Sequence, residues 1–199
     1  MPQSSLAIAE NVLVFWFGDP DVPDSEYGQH RPVWFRKNPK FDQQIRDRFL
    51  SAYAQAREGQ YDSWIEAPHT ALALTILLDQ FPRNMFRGTG RCFEADAQAL
   101  ATARAAIARQ HDQKLIPVER IFLYLPFEHS EHLAHQNRAV SLFEALTELA
   151  PELQSALDYA YRHRDVIARF GRFPHRNSSL GRSSTLEELV FLSQPGSRF

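Results

Sequence analysis

Cysteine is almost missing: Cys92 is the only one in 199 residues. That excludes a disulfide framework and a cysteine cage for a metal, and it fits a reducing, cytoplasmic compartment. Lysine is nearly as scarce, since Lys37, Lys40 and Lys114 are the only lysines among 22 cations. The other cations are arginines, whose planar guanidinium suits bidentate recognition of carboxylate and phosphate. Charge of one sign is missing as well. With a net charge of −2 and a pI of about 6.4, no global field draws the chain to nucleic acid or to a membrane surface. Apart from the N-terminal segment, the most apolar run is "ALALTILL" at 71–78, too short to cross a bilayer and readable as a buried helix. The N-terminal "MPQSSLAIAENVLVFWFGD" has no basic lead, and Glu10 interrupts its apolar stretch, so no secretory signal is expected. Alternating strands and a fixed-period repeat are both lacking.

What is present is helical periodicity. Phe41, Ile45, Phe49, Ala52, Tyr53 and Ala56 fall on one helical stripe. Asn38-Pro39 offers a cap and a first-turn proline, and Gly59 a stop. Pro68 opens a helix through Leu78, an alanine-rich one follows from about Phe93 to Arg109, and Pro117 opens a short piece. The pattern then predicts a long helix from about Phe127 to Leu149, and another from Pro151 to near Gly171. "STLEELVFL" carries a capping-box pattern, Ser184 or Thr185 answered by Glu187 or Glu188. The chain therefore reads as all-α, a single domain over 1–199 with about seven or eight helices. The aromatic segments "FWFGD" (15–19) and "VWF" (33–35), with Trp64, read as core.

Two features stand apart from a plain helical core. The first is a run from Arg162 to Arg182 that holds six arginines and a single acid, Asp165. Within it, "RFGRFPHRN" (169–177) echoes "FPRN" (81–84), each after an apolar helix. Proline disfavours helix geometry in the residue before it, so each copy is expected to stop a helix and present Arg and Asn on a loop. The second is the start of the long helix. Its stripe of Leu133, Ala139, Val140, Leu142, Phe143 and Leu146 extends backward onto Glu128, His129, His132 and Gln136, with Glu131 and His135 at its edge. Polar groups on a buried stripe need partners, whether protein, water or ligand. A polar pocket at that end, favourable to anions as a helix N-terminus is, accounts for both features.

Other chemistries fit less well. His129, His132 and His135 recur every third residue, whereas a zinc helix spaces its histidines four apart around a glutamate. Neither Glu128 nor Glu131 has a histidine three residues on, so the di-iron Glu-x-x-His motif is missing. No metal and no cofactor is expected. Ser130 adjoins His129 without a nucleophile elbow, and "GTGRC" (88–92) has neither phosphate-loop nor dinucleotide spacing. Nucleic acid is set aside, because no reading helix and no basic whole-chain balance support it.

The stretches "LLDQFPRNMFRGTGRCFEADAQA", "LPFEHSEHLAHQNRAVSLF" and "FGRFPHRNSSLGRSSTLEELVFL", with "VLVFWFGD" near the start, together resemble an uncharacterised, mainly bacterial family, domain-of-unknown-function family 924 (DUF924). The resemblance implies an all-α, tetratricopeptide-like fold and no particular reaction. It places the family's recurring polar residues on Asp79, Arg83, Asn84, His129, Ser130, Glu131, Gln136, Arg172, His175, Arg176 and Asn177. The chain departs from the family pattern at His132, where an acid is expected, and at Gly90, where proline is expected. Taken together, Asp79, Arg83, Asn84, Gln136, Arg172, His175, Arg176 and Asn177 are expected to bind an anionic small molecule or peptide terminus. An enzyme using His129 with Glu131 as general acid and base is the alternative, and a structural polar network with a protein-docking surface is the third reading.

Overall fold

The structure, a computed structural model, describes residues 4–197; the outermost residues of the expected 1–199 span lie outside the described residues. Among the described residues there are eight α-helices and no strand. They are α1 (Ser5–Phe17), α2 (Pro39–Arg57), α3 (Pro68–Met85), α4 (Asp96–Ala108), α5 (Pro117–Glu128), α6 (Leu133–Leu149), α7 (Gln154–Phe170) and α8 (Leu186–Leu192). Consecutive helices from α2 to α7 pack side by side, and α3 also touches α1 and α5. Helix α3 is the centre of this array. Every residue from Ala71 to Pro82 is buried, as the apolar run there predicts for a helix covered on all sides. No helix among the described residues is long and apolar enough to cross a membrane.

Local chemistry explains most boundaries. Asn38 accepts from the backbone N–H groups of Lys40 and Phe41 at 3.1 Å each, capping α2 above its first-turn proline. All six residues of the predicted α2 stripe are buried. Gly171 ends α7 in the left-handed region, φ 66°, where a Cβ would be strained. Thr185 and Glu188 form the reciprocal capping box of α8. The long connection at 18–38 returns to cap α1: Trp34 Nε1 donates to Trp16 O at 2.8 Å, and Arg31 donates to the carbonyls of Phe15 and Trp16. Trp16 then packs among Trp34, Phe41, Phe81 and Phe122.

Three expectations are corrected. The predicted helix from 127 to 149 is two helices, α5 and α6, separated at His129–His132. Gln136 donates to the carbonyls of Glu128 and Ser130 at 2.6 Å each, fastening the end of α5 to the start of α6. His129 consequently caps the C-terminal end of α5, not an anion-favouring N-terminus. Pro82, expected to stop its helix, lies inside α3, as Pro126 lies inside α5. Leu133 is exposed, not inward.

A buried acid–base cluster as candidate functional site

The burial of α3 forces the polar groups of its last turns to find partners. Asp79 is fully buried. His129 Nδ1 lies 2.8 Å from its Oδ1, Gln80 donates to Oδ2 at 2.6 Å, and Arg83 Nη1 stands 3.4 Å from Oδ1. Arg83 also forks onto Asp96, in the first turn of α4, at 2.9 and 3.0 Å. Asp96 accepts a second guanidinium, Arg176 Nη1, at 3.3 Å. The arginines of the two sequence echoes thus meet on one carboxylate. Arg176 is buried between the rings of Phe93 and Phe173, 4.5 and 4.4 Å from their centroids, a cation–π arrangement. Among the described residues its Nε has no hydrogen-bond partner.

A second carboxylate–histidine pair adjoins the first. Glu128, the last residue of α5, is buried with Oε1 3.1 Å from His163 Nδ1 on α7. Its Oε2 is buried and has no hydrogen-bond partner among the described residues. The rings of His129 and His163 are 6.4 Å apart, and Phe173 separates His163 from His175. Among the described residues, no group of three His, Cys, Asp or Glu is placed to hold a metal ion.

The electrostatics drive these groups apart. Burial alone would raise the Asp79 carboxyl, but Arg83 and His129 outweigh it and hold it at about 2. Burial, with Asp79 nearby, pushes Glu128 up to about 8, so it stays neutral. Burial and then Arg83 lower His129, against the pull of Asp79. Burial also holds His163 well below its usual value, and burial with Arg176 pushes His175 down to about 3. Arg176 itself is lowered to about 10 by burial and by Arg83, despite Asp96 and Glu131. An ionised and a neutral carboxyl side by side, beside uncharged histidines, is an arrangement able to move protons. With the Nδ1–H of His129 donating to Asp79, the lone pair sits on Nε2 of a ring that is 13% exposed.

Of the residues picked out from sequence, Asp79, Arg83, His129, His175 and Arg176 lie in this cluster. The others are held elsewhere. Asn84 donates to Asp42, which Arg87 also grips, and ties α3 to α2. Gln136 clasps the α5–α6 junction. Glu131 accepts the backbone N–H of Phe173 at 2.8 Å and forks with Arg182 at 2.7 and 2.9 Å. Arg172 forks onto Glu188 at 2.6 and 2.8 Å, and Asn177 donates to Ser184 and Glu188. So the loop "RFGRFPHRN" is mostly a clasp around α8, and Arg176 with its neighbour His175 turns inward. Sequence reasoning passed over Asp96 and His163. His163 was readable, because it continues the buried α7 stripe of Leu157, Ala160, Val166 and Ile167; Asp96 carries no such mark. Gly90 has its own reason: a Cβ there would lie 2.8 Å from Ser179 O, so the backbone of the 171–184 connection occupies the space that proline would need.

Fold and cluster together define an all-α protein whose central helices are joined by a buried polar network. The chain belongs to a family described as bacterial protein of unknown function, DUF924, whose profile matches residues 12–196. It is similar to a solved structure, the protein of unknown function ATU0120 from Agrobacterium tumefaciens. The two are 41% identical, the similarity covers 96% of this chain and 99% of that one, and the TM-score is 0.82. No curated protein matches.

Proposed function

We propose that the cluster accepts an anionic group of a small molecule or peptide terminus at Arg176, with Arg83 and the adjoining histidines completing the site. One observation carries this reading: Arg176 is a buried guanidinium whose Nε–H lacks an acceptor among the described residues and whose carboxylate partner, Asp96, is already forked by Arg83. A buried donor without an acceptor costs about 1–3 kcal/mol, and an anionic oxygen would supply the missing bond. Burial, and then Arg83 for His129 and Arg176 for His175, hold these two rings uncharged. An anion bound beside them would raise their proton affinity, so binding should tighten as pH falls.

Thermal unfolding with phosphate, acetate, glutamate and an acidic peptide tests it. One of these should stabilise the wild type in proportion to its logarithmic concentration and fail to stabilise Arg176→Met. If none shifts the wild type while Arg176→Met melts much lower, the cluster is a structural network, since removing one partner of a buried ion pair is destabilising.

A second reading rests on the Asp79–His129 hydrogen bond, which orients a histidine as a general base orients in many enzymes. In that role Asp79 takes the place expected of Glu131. Retained ligand binding with turnover lost in His129→Gln would favour it over binding alone.

A further inference from the structure

Two buried polar atoms of opposite demand lie in the acid–base cluster. Among the described residues, Arg176 Nε is a donor with no acceptor, and Glu128 Oε2 is a carboxyl oxygen with no hydrogen-bond partner. Arg176 is 6% exposed and Glu128 3%, so water does not satisfy either from the surface, and a bare buried polar atom is costly. The anion placed at Arg176 answers the first atom and leaves the second unanswered.

The surroundings of Glu128 lack a cation. His163 Nδ1 lies 2.9 Å from the Tyr159 carbonyl. A carbonyl only accepts, so this nitrogen carries the ring proton, and it stands 3.1 Å from Glu128 Oε1. One carboxyl oxygen therefore faces a neutral ring, and the other has nothing. His163 and His129 bring no charge, since burial lowers both. No Lys or Arg among the described residues pairs with Glu128. Asp79, of the same sign, adds to burial in pushing it up to about 8, so it carries a proton at neutral pH. The cluster thus has a cationic end, where Arg83 and Arg176 meet on Asp96, and an acidic end at Asp79 and Glu128. Phe173 joins them, its ring 4.4 Å from the Arg176 guanidinium carbon and 5.4 Å from the His163 ring. The side chains of Arg83 and Asp96, 19% and 21% exposed, open the cluster to solvent.

Resting on the anion site at Arg176, we infer that its ligand is a zwitterion, an amino carboxylate whose carboxylate meets Arg176 Nε–H and whose ammonium meets Glu128 Oε2. As the ammonium docks it takes the place of the Glu128 proton, which leaves to the buffer, and the carboxyl becomes a carboxylate facing an N–H donor of opposite charge. A peptide C-terminus carries an uncharged amide N–H in that position, with no charge to displace the proton. The ligand class is therefore a free amino acid, not a peptide terminus.

Titration calorimetry of the full chain at pH 7 compares alanine, 4-aminobutyrate and 6-aminohexanoate with the acids that lack the amine, propionate, butyrate and hexanoate. At least one amino acid should bind about tenfold more tightly than its des-amino partner, and its length gives the separation of the two ends. Its heat should vary between buffers of different ionisation enthalpy, as release of about one proton per ligand requires. Glu128→Gln, nearly the same shape, should bind that amino acid no more tightly than the des-amino acid and release no proton. If no amino acid outbinds its partner, if the preference survives Glu128→Gln, or if the wild type releases no proton, the zwitterion is overturned. Binding of a des-amino acid or of phosphate would then leave the anion site standing. No binding of any of these anions or amino acids would overturn both.

Discussion

Glu128 keeps its proton at neutral pH because its carboxyl is buried at the end of α5 beside the ionised Asp79. The pH consequence has a definite sign. In the unfolded chain this group releases its proton near 4.5, whereas in the fold it holds it to about 8. Over that window the native state binds more protons, so its contribution is full below 4.5 and is lost as pH rises toward 8. Glu128→Gln, neutral and nearly the same shape, removes the loss. It is expected to be more stable than wild type at pH 8, with the difference growing by about 1 kcal/mol per pH unit from 5 to 8 in urea unfolding. A constant difference across that range would show that Glu128 is ionised in the fold. Arg176 is the complementary residue: a cation held in place by two aromatic rings and half a carboxylate.

Helix α8 shows how an element can be held by polar contacts. Its buried side chain is Glu188, while Leu186 and Val190 are 84% and 60% exposed. The Glu188 carboxylate gathers two N–H groups of Arg172, the Asn177 amide and the Thr185 backbone N–H, and Phe191 rests on Phe170 at 5.1 Å. Glu188→Gln is expected to speed amide exchange throughout 186–192 by about tenfold, with Tm lowered by no more than roughly 3 °C. Equal loss of protection in α3 would mean that the clasp supports the whole array. The capping half of this arrangement, Thr185 with Glu188, was legible from spacing. The Arg172 half was not, because nothing local says where a guanidinium sixteen residues upstream will reach. The break between α5 and α6 was hidden for the converse reason: helical periodicity runs unbroken through 127–149, and the turn is closed by the Gln136 side chain bonding back to two carbonyls.

At the scale of the whole molecule, the opposed shifts set an optimum of stability. His129, His135, His163 and His175 are all held below their usual value in the fold. The unfolded chain takes up these protons first, so acidification below about pH 6.5 destabilises the fold. Asp79, Glu131 and Glu188, all lowered, add to the loss below about pH 4.5. Glu128 acts the other way between 4.5 and 8, but one group is outweighed by four histidines until they cease to titrate. Stability is therefore expected to peak near pH 6.5, and Glu128→Gln should convert the peak into a plateau extending to about pH 8. A wild-type maximum above pH 8 in thermal scans would contradict this balance.

The helical class, the buried run of α3, the α2 stripe and the caps at Asn38, Gly171 and Thr185 were legible in the sequence, because each depends on neighbours within a turn or two of chain. The sequence also marked Arg83, His129 and Arg176 as polar groups beside apolar helices, which burial makes costly unless paired, and the family resemblance added Asp79. The pairings were set by the packing of the helices. Arg83 and Arg176 share Asp96, His129 faces Asp79 and not Glu131, and Arg172 and Asn177 serve α8. Those choices follow from which helix ends the packed array brings within hydrogen-bond reach, a long-range property that periodicity does not carry.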